Sequence, residues 1–253
     1  MNIMKIAIPY GTIMLFYFIL LSYGQTLAQS VVMEKESKLM DTMLVSVRPE
    51  SLVFGKLLAS IAAAVMQILI WLISLVAGFS LGALVQKMFF PGAKLYLTVF
   101  FAGMKDINVF RPINVFLAIV FLILGLVLYM CLAAIAGSMS STKEDVGSKS
   151  SLFIFPLLIS FFILIGAGGI NTTTTKTWML IFPFTSAMIM PANVSLGQVS
   201  PLIIISALLA FVALILLFVI GAGKIYKMMS LYKGNRISIT EVLKRTFAGD
   251  KKA

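Results

Sequence analysis

The chain has 253 residues, of which 60% are hydrophobic and only 11% are charged. A soluble domain carries about a quarter charged residues, so this composition excludes an ordinary soluble globular protein. The formal net charge is +11, from 20 Lys and Arg against 9 Asp and Glu. Because these basic residues flank apolar windows and form no aromatic-interleaved patch, we expect them to meet anionic lipid and not nucleic acid.

Five windows without any charged side chain are each long enough for a membrane-spanning helix, which needs about 20 apolar residues. None shows the alternation of a barrel strand, and helices are the other way to satisfy a backbone in lipid. We therefore predict an all-α integral membrane protein that forms a single domain over 1–253. The predicted spans lie near 6–29, 52–82, 113–137, 151–169 and 200–222, followed by a tail at 223–253.

The first window also has a second interpretation. Lys5, the apolar run after it and Thr26-Leu27-Ala28 together resemble a secretory signal with its cleavage site. Cleavage would place residues 31–56 outside the cell. We favour an uncleaved span.

An amphipathic helix is predicted at 32–47, directly after the first span. Met33, Met40 and Leu44 share one face at helical spacing, while Glu34 and Lys38 form an i,i+4 pair on the other. Composition leaves two roles open: a helix lying on the membrane surface, or one docking into a groove of a cytosolic partner.

The segment at 178–190 is apolar but short. Its 13 or so residues reach only about 20 Å as a helix, and it contains Pro183 and ends before Pro191. We predict a re-entrant or interfacial segment on the external side instead of a sixth span.

Basic residues set the predicted topology. With five spans, fourteen lie on one side and six on the other, which makes the first side cytoplasmic, the N-terminus external and the C-terminus internal. The fourteen are Lys35, Lys38, Arg48, Lys56, Lys143, Lys149, Lys224, Lys227, Lys233, Arg236, Lys244, Arg245, Lys251 and Lys252. The six are Lys5, Lys87, Lys94, Lys105, Arg111 and Lys176.

No catalytic or metal site is predicted. The sequence has no histidine, its single cysteine (Cys131) lies in an apolar run, and its nine acids all fall outside the predicted spans. Gly221-Ala222-Gly223-Lys224 is only a fragment of a P-loop. We expect no cofactor and no enzyme activity, and energy for any uphill transport must come from another subunit.

Several motifs, taken in order, carry a family resemblance. They are Tyr23-Gly24-Gln25, Glu34-Lys35-Glu36-Ser37, Leu44 to Pro49, Gly55-Lys56, Gly137-Ser138, the loop 140–150, Phe182 to Ser186, and Lys224-Ile225-Tyr226 with the tail after it. In this order the chain resembles permease subunits of the second class of ABC exporters, particularly the sodium-efflux-permease-like branch.

The resemblance implies that residues 32–47 are a coupling helix that docks on an ATPase subunit. Glu34, Lys35 and Ser37 match its motif, Asp41 stands where the family has a glutamate, and Glu36 and Lys38 lie on the same helix. Lys143, Glu144 and Asp145 belong to what resembles the second cytoplasmic loop. The implied assembly is two permeases, as a homo- or heterodimer, with two cytosolic ABC ATPase subunits in a cell membrane, as in the bacterial plasma membrane.

One departure separates the chain from that branch, whose members begin with an additional span and a large external domain. We expect this chain to lack both, either as a naturally shortened permease, as one half of a split permease, or as a fragment. Two other functions stay open: a non-transporting scaffold or sensor whose amphipathic helix only binds lipid, and a facilitator or secondary transporter, which the uncharged spans disfavour.

The charge asymmetry makes the topology testable. A cysteine at Thr173 should react with a membrane-impermeant maleimide added to intact cells, and one at Ser148 should not, because the two lie on opposite sides of the predicted membrane. Labelling of Ser148→Cys in intact cells would contradict the five-span topology.

Overall fold

The computed structural model describes residues 4–36, 49–89, 111–166 and 175–231. It contains α1 (Met4–Glu36), α2 (Pro49–Phe89), α3 (Pro112–Met139), α4 (Lys143–Lys149), α5 (Ser151–Gly166), α6 (Thr177–Ile181), α7 (Pro183–Ser195) and α8 (Pro201–Leu231). These four ranges contain no strand. Five helical stretches, α1, α2, α3, α4 with α5, and α8, are long and apolar enough to cross a membrane. The predicted all-α membrane fold is confirmed.

Proline marks where several helices begin. α2, α3, α7 and α8 each start at a proline: Pro49, Pro112, Pro183 and Pro201. The first turn of a helix needs no N–H for internal bonding, and the fixed φ of proline suits it. The turn before α8 relies on Gly197, whose φ of +66° is readily adopted by glycine and lets the chain reverse after α7.

Helix α3 is the centre of the bundle. It packs most extensively against α1, α7 and α8, and every residue from Leu128 to Met139 is buried. Aromatic contacts fix these neighbours, with ring centroids 5.9 Å apart for Phe121 and Phe211 of α8 and 5.7 Å apart for Tyr129 and Phe184 of α7. The side chains of α2, in contrast, point mostly outward, as expected for a lipid-facing helix.

α1, α2 and α8 continue well past the predicted spans, α8 as far as Leu231. α1 is one helix of 33 residues, so the first span and the beginning of the predicted 32–47 helix are continuous as far as Glu36; residues 37–47 lie outside the described ranges. α2 has 41 residues and at about 1.5 Å per residue is twice as long as the roughly 30 Å hydrocarbon layer requires.

The short segment before the last span forms two helices, α6 and α7. α7 has 13 residues, too few to cross about 30 Å of hydrocarbon. Nearly all of it is buried against the rest of the bundle, including the polar side chains of Thr185, Ser186 and Asn193. That this pair enters the membrane from the external side stays a prediction.

Glycine permits the closest approach between α1 and α3. A Cβ at Gly137 would lie 2.5 Å from the carbonyl oxygen of Ala28 and 2.9 Å from its Cα. Both are backbone atoms, so no side-chain rotation relieves the clash, and the helices would have to separate.

This contact predicts opposite effects for two glycine substitutions. Gly137→Ala should destabilise the protein by about 1–3 kcal/mol, because it overpacks a backbone contact. Gly78→Ala, in α2, meets nothing within 4 Å and should stabilise the helix slightly, by about 0.5–1 kcal/mol. The apparent melting temperatures of the purified variants in one detergent measure the difference. Equal melting temperatures would contradict the close approach.

Candidate functional site

An ion pair joins the ends of α1 and α2. Glu34 Oε1 lies 2.9 Å from Lys56 Nζ, and the two side chains are only 22% and 18% exposed. Lys56 also donates a hydrogen bond to the carbonyl oxygen of Ser30, in the last turns of α1. The lysine therefore holds α1 by both a side chain and the backbone.

A third helix reaches the same point. Tyr226 of α8 is fully buried and is close enough to Glu34 for the two groups to interact electrostatically. We name Glu34, Lys56 and Tyr226 the three-helix cluster. It gathers the ends of α1, α2 and α8 next to the connection between α1 and α2.

The short helix α4 has an N-cap and favourably placed charges at both ends. Thr142 is its N-cap, and the side-chain oxygen accepts a hydrogen bond from the backbone N–H of Asp145 at 3.3 Å. Asp145 Oδ2 in turn accepts one from the N–H of Ser141 at 3.2 Å. Glu144 and Asp145 occupy the first turn and Lys149 the last, the placement that the helix dipole favours.

Helix α4 docks on the end of α1. Val146 is fully buried in a small cluster with Ala28 and Val32 of α1. At its far end, Ser150 Oγ donates to Gln25 Oε1 over 2.8 Å. The structure thus brings together the beginning of the predicted coupling helix and the predicted second loop, which are more than a hundred residues apart in sequence.

The predicted site residues have different outcomes. Glu34 belongs to the three-helix cluster, and Lys143, Glu144 and Asp145 lie on α4, with Lys143 and Glu144 exposed. The side chains of Lys35 and Glu36, and all of Ser37, Lys38 and Asp41, lie outside the described residues. The described part therefore contains the root of the predicted coupling helix and leaves the docking role a prediction.

Sequence reasoning missed the partners of Glu34 in the cluster. It paired Glu34 with Lys38, four residues on, and used Lys56 only in the charge count and in the Gly55-Lys56 motif. A signal was present: Lys56 is the one charged residue from Ser51 to Gln86. A charge within an apolar helix needs a partner, so an acid at the end of a neighbouring span was the natural candidate.

The contacts at this end of the bundle are structural. Within the described ranges, no three His, Cys, Asp or Glu side chains come together to hold a metal ion. What the geometry offers is rigidity: an ion pair, a docked helix and a glycine contact fasten the ends of several helices to one another. A push on this end would therefore move those helices together.

Comparison with known protein families identifies the family of this chain. The model of the ABC-2 family transporter protein matches residues 2–224. The chain belongs to the ABC-2 transporter family. Together with its five apolar helices, this makes it a multi-pass membrane protein, and members of this ABC-2 family normally work with an ATPase subunit.

Two relatives are of similar sequence. The uncharacterized protein YhaP of Bacillus subtilis (strain 168) is 27% identical over 234 residues, which cover 91% of this ABC-2 chain and 52% of the relative. The uncharacterized protein MJ1024 of Methanocaldococcus jannaschii is 24% identical over 246 residues, covering 95% and 54%. The chain therefore spans about half the length of these relatives. No solved structure matches it.

The ion pair predicts the outcome of a charge swap. Glu34→Lys and Lys56→Glu should each destabilise the purified protein by about 1–3 kcal/mol, since each leaves two like charges together in a mostly buried place. The double variant should recover more than half of that loss. It should fall short of full recovery, because a glutamate at 56 cannot donate to the Ser30 carbonyl. Apparent melting temperatures in detergent give the comparison.

Lys143→Glu is the matched control, because it reverses one charge on an exposed side chain. It should change stability by no more than roughly 0.5 kcal/mol. A double variant whose loss of stability equals the sum of the two single losses would show that Glu34 and Lys56 do not act on one another.

Proposed function

We propose that the chain is the membrane-spanning permease subunit of an ATP-driven ABC exporter. A separate cytosolic ABC ATPase would dock on the segment 32–47, and its ATP-driven closure would move the spans and release substrate outward. One observation supports the proposal most: in this ABC-2 family chain, the beginning of that segment lies against α4 and belongs to the three-helix cluster.

The contacts suggest how a movement would spread from the docking segment. The segment continues directly from α1, which Lys56 ties to α2 and which lies beside Tyr226 of α8. α4 rests on α1 through Val146 and is followed at once by α5. Displacing the segment would therefore displace four spans together.

Glu34 takes a different role here from the one expected at first. It was expected to contact the ATPase through its carboxylate. Its ion pair with Lys56 instead favours a positioning role, in which Glu34 holds the root of the docking segment. Lys35, Glu36, Ser37, Lys38 and Asp41 would then be left to make the ATPase contacts, with Lys143, Glu144 and Asp145 of α4 beside them.

The assembly and orientation are part of the proposal. Two permease chains, identical or different, would pair with two ATPase subunits in a cell membrane such as the bacterial plasma membrane. The fourteen-to-six distribution of basic residues supports a cytoplasmic position for α4, the three-helix cluster and the C-terminus, and an external N-terminus.

Site-specific photocrosslinking tests the docking segment. A photoreactive amino acid at Ser37 should crosslink in cells to a protein whose peptides include a P-loop. The purified crosslinked complex should hydrolyse ATP in a vanadate-sensitive way. This chain purified alone should show no hydrolysis above a mock preparation, because its sequence contains no complete P-loop.

The matched control carries the same photoreactive group at Thr173, on the opposite side of the predicted membrane, and should not capture the ATPase. If Ser37 crosslinks only to lipid, the segment lies on the membrane surface and the chain acts as a scaffold or sensor. ATP hydrolysis by the chain alone would also contradict the proposal.

A further inference from the structure

A cleft of about 340 Å³ opens between α1 and α2, on the outer surface of the bundle. Its α1 wall contains Phe18, Ser22, Tyr23 and Thr26, and its α2 wall contains Gln67 and Trp71. The volume lies in the range of small-molecule sites, which run from about 300 to 1,000 Å³. This cleft is separate from the three-helix cluster, and no contact described above involves its polar groups.

The cleft contains several polar side chains in otherwise apolar surroundings. Ser22 and Thr26 are exposed, Tyr23 and Gln67 half-buried, and large apolar side chains such as Met66, Ile70 and Ile73 surround Gln67 and Trp71 on the exposed face of α2. Thr26 Oγ1 donates only to the Ser22 carbonyl within its own helix. Across the described ranges, the side chains of Tyr23, Gln67 and Trp71 form no hydrogen bond.

The depth of the cleft in the bilayer makes it costly for these polar groups to have no hydrogen-bond partner. Counted at about 1.5 Å per residue, Ser22 and Thr26 lie about 12–18 Å along α1 from Glu34, and Gln67 and Trp71 about 16–23 Å along α2 from Lys56. The distances along the two helices agree. With Glu34 and Lys56 at the edge of the membrane, they place the cleft near the middle of a hydrocarbon layer about 30 Å thick. There, an amide or hydroxyl without a partner costs several kcal/mol, so a partner for these groups is expected.

We propose that this cleft binds an uncharged amphipath, with a hydroxyl- or amide-bearing head against Gln67, Tyr23 and Trp71 and an apolar tail in the surrounding lipid. Among the described residues, no charged side chain lines the cleft, so none of them compensates an ionic head group. Gln67 supplies both a donor and an acceptor, and the Tyr23 hydroxyl and the Trp71 indole N–H supply two more donors. The aromatic rings of Phe18 and Trp71 suit the junction of head and tail.

The proposal rests on the proposed function, since it names the class of molecule that such an exporter would take from the bilayer. A second copy of the chain is the competing occupant. A helix is about 10 Å wide with its side chains and needs a continuous groove. A local cleft of 340 Å³ instead matches a head group.

Tryptophan fluorescence gives a direct test, because the sequence has two tryptophans, Trp71 and Trp178. The Trp178→Phe variant, in phosphatidylcholine nanodiscs without any ATPase, reports Trp71 alone. A monoacylglycerol with a brominated acyl chain should quench it saturably. A brominated alkane of equal length should quench it only in proportion to its concentration in the lipid. Equal behaviour of the two probes would overturn the proposal.

Substitutions locate the site. In the Trp178→Phe background, Gln67→Leu should raise the apparent Kd for the monoacylglycerol by about threefold to tenfold, as expected for one hydrogen bond lost within a membrane. Ser80→Ala also removes one polar group from the exposed face of α2, outside the cleft, and should leave the Kd unchanged. An unchanged Kd for Gln67→Leu would overturn the proposal.

A last experiment tests whether a second copy of the chain covers the cleft. The variant carries Thr26→Cys, with Cys131 replaced by Ala. Rapid formation of a disulfide-linked dimer in membranes would show that a second copy covers the cleft and would overturn the proposal. A chain that stays monomeric supports the proposal. Because these assays need no ATPase, failure of binding leaves the coupling proposal intact. Failure of the Ser37 crosslink leaves the binding result intact.

Discussion

Inside a bilayer, a helix gains little by hiding apolar surface, because lipid tails are as apolar as leucine; association depends on close packing and buried polar contacts. Helix α3 meets that requirement with small residues. Gly137 admits the α1 backbone, and a Cβ at Gly125 would lie 3.0 Å from Ala187 of α7 and 3.1 Å from Phe16 of α1. The other helices are arranged around these approaches, which is why α3 is buried while α2 is not.

Polar groups add a second set of constraints at the end of the bundle that holds α6 and α7. Tyr129 of α3 donates to the Phe184 carbonyl at 3.2 Å, and Thr185 Oγ1 donates to the Met179 carbonyl at 2.7 Å. Two further buried groups there, Ser186 Oγ and Asn193 Oδ1, have no hydrogen-bond partner among the described residues. α7 is therefore held by packing more than by its own hydrogen bonds, which suits a helix too short to anchor itself in lipid.

The order of the spans could be predicted from sequence because span length and charge-free windows are local properties. The short segment could be predicted in part: Pro183 separates α6 from α7, but α7 does not end before Pro191 as predicted and continues through it to Ser195. The three-helix cluster could not be predicted from the sequence. Lys56 of α2 pairs with Glu34 of α1, and Tyr226 comes from the last helix. Interactions between separate helices leave no periodic pattern in the sequence. Likewise α4 has cap signals in Thr142 and Asp145, yet its docking depends on Val146 reaching Ala28 and Val32.

These contacts also explain why the end of α1 near Glu36 and the middle of α1 have different surroundings. Towards Glu36 the helix is fastened by Lys56, by Val146 of α4 and by the close approach of Gly137. In its middle, Ser22 and Thr26 leave it separated from α2 by the cleft. Two helices joined at one end and parted further along act as a lever, because a small rotation at the joined end changes the width of the gap. The proposed coupling segment is attached to that joined end. A force applied there would therefore act on the cleft through the backbone of α1 itself, with no additional element needed to transmit it.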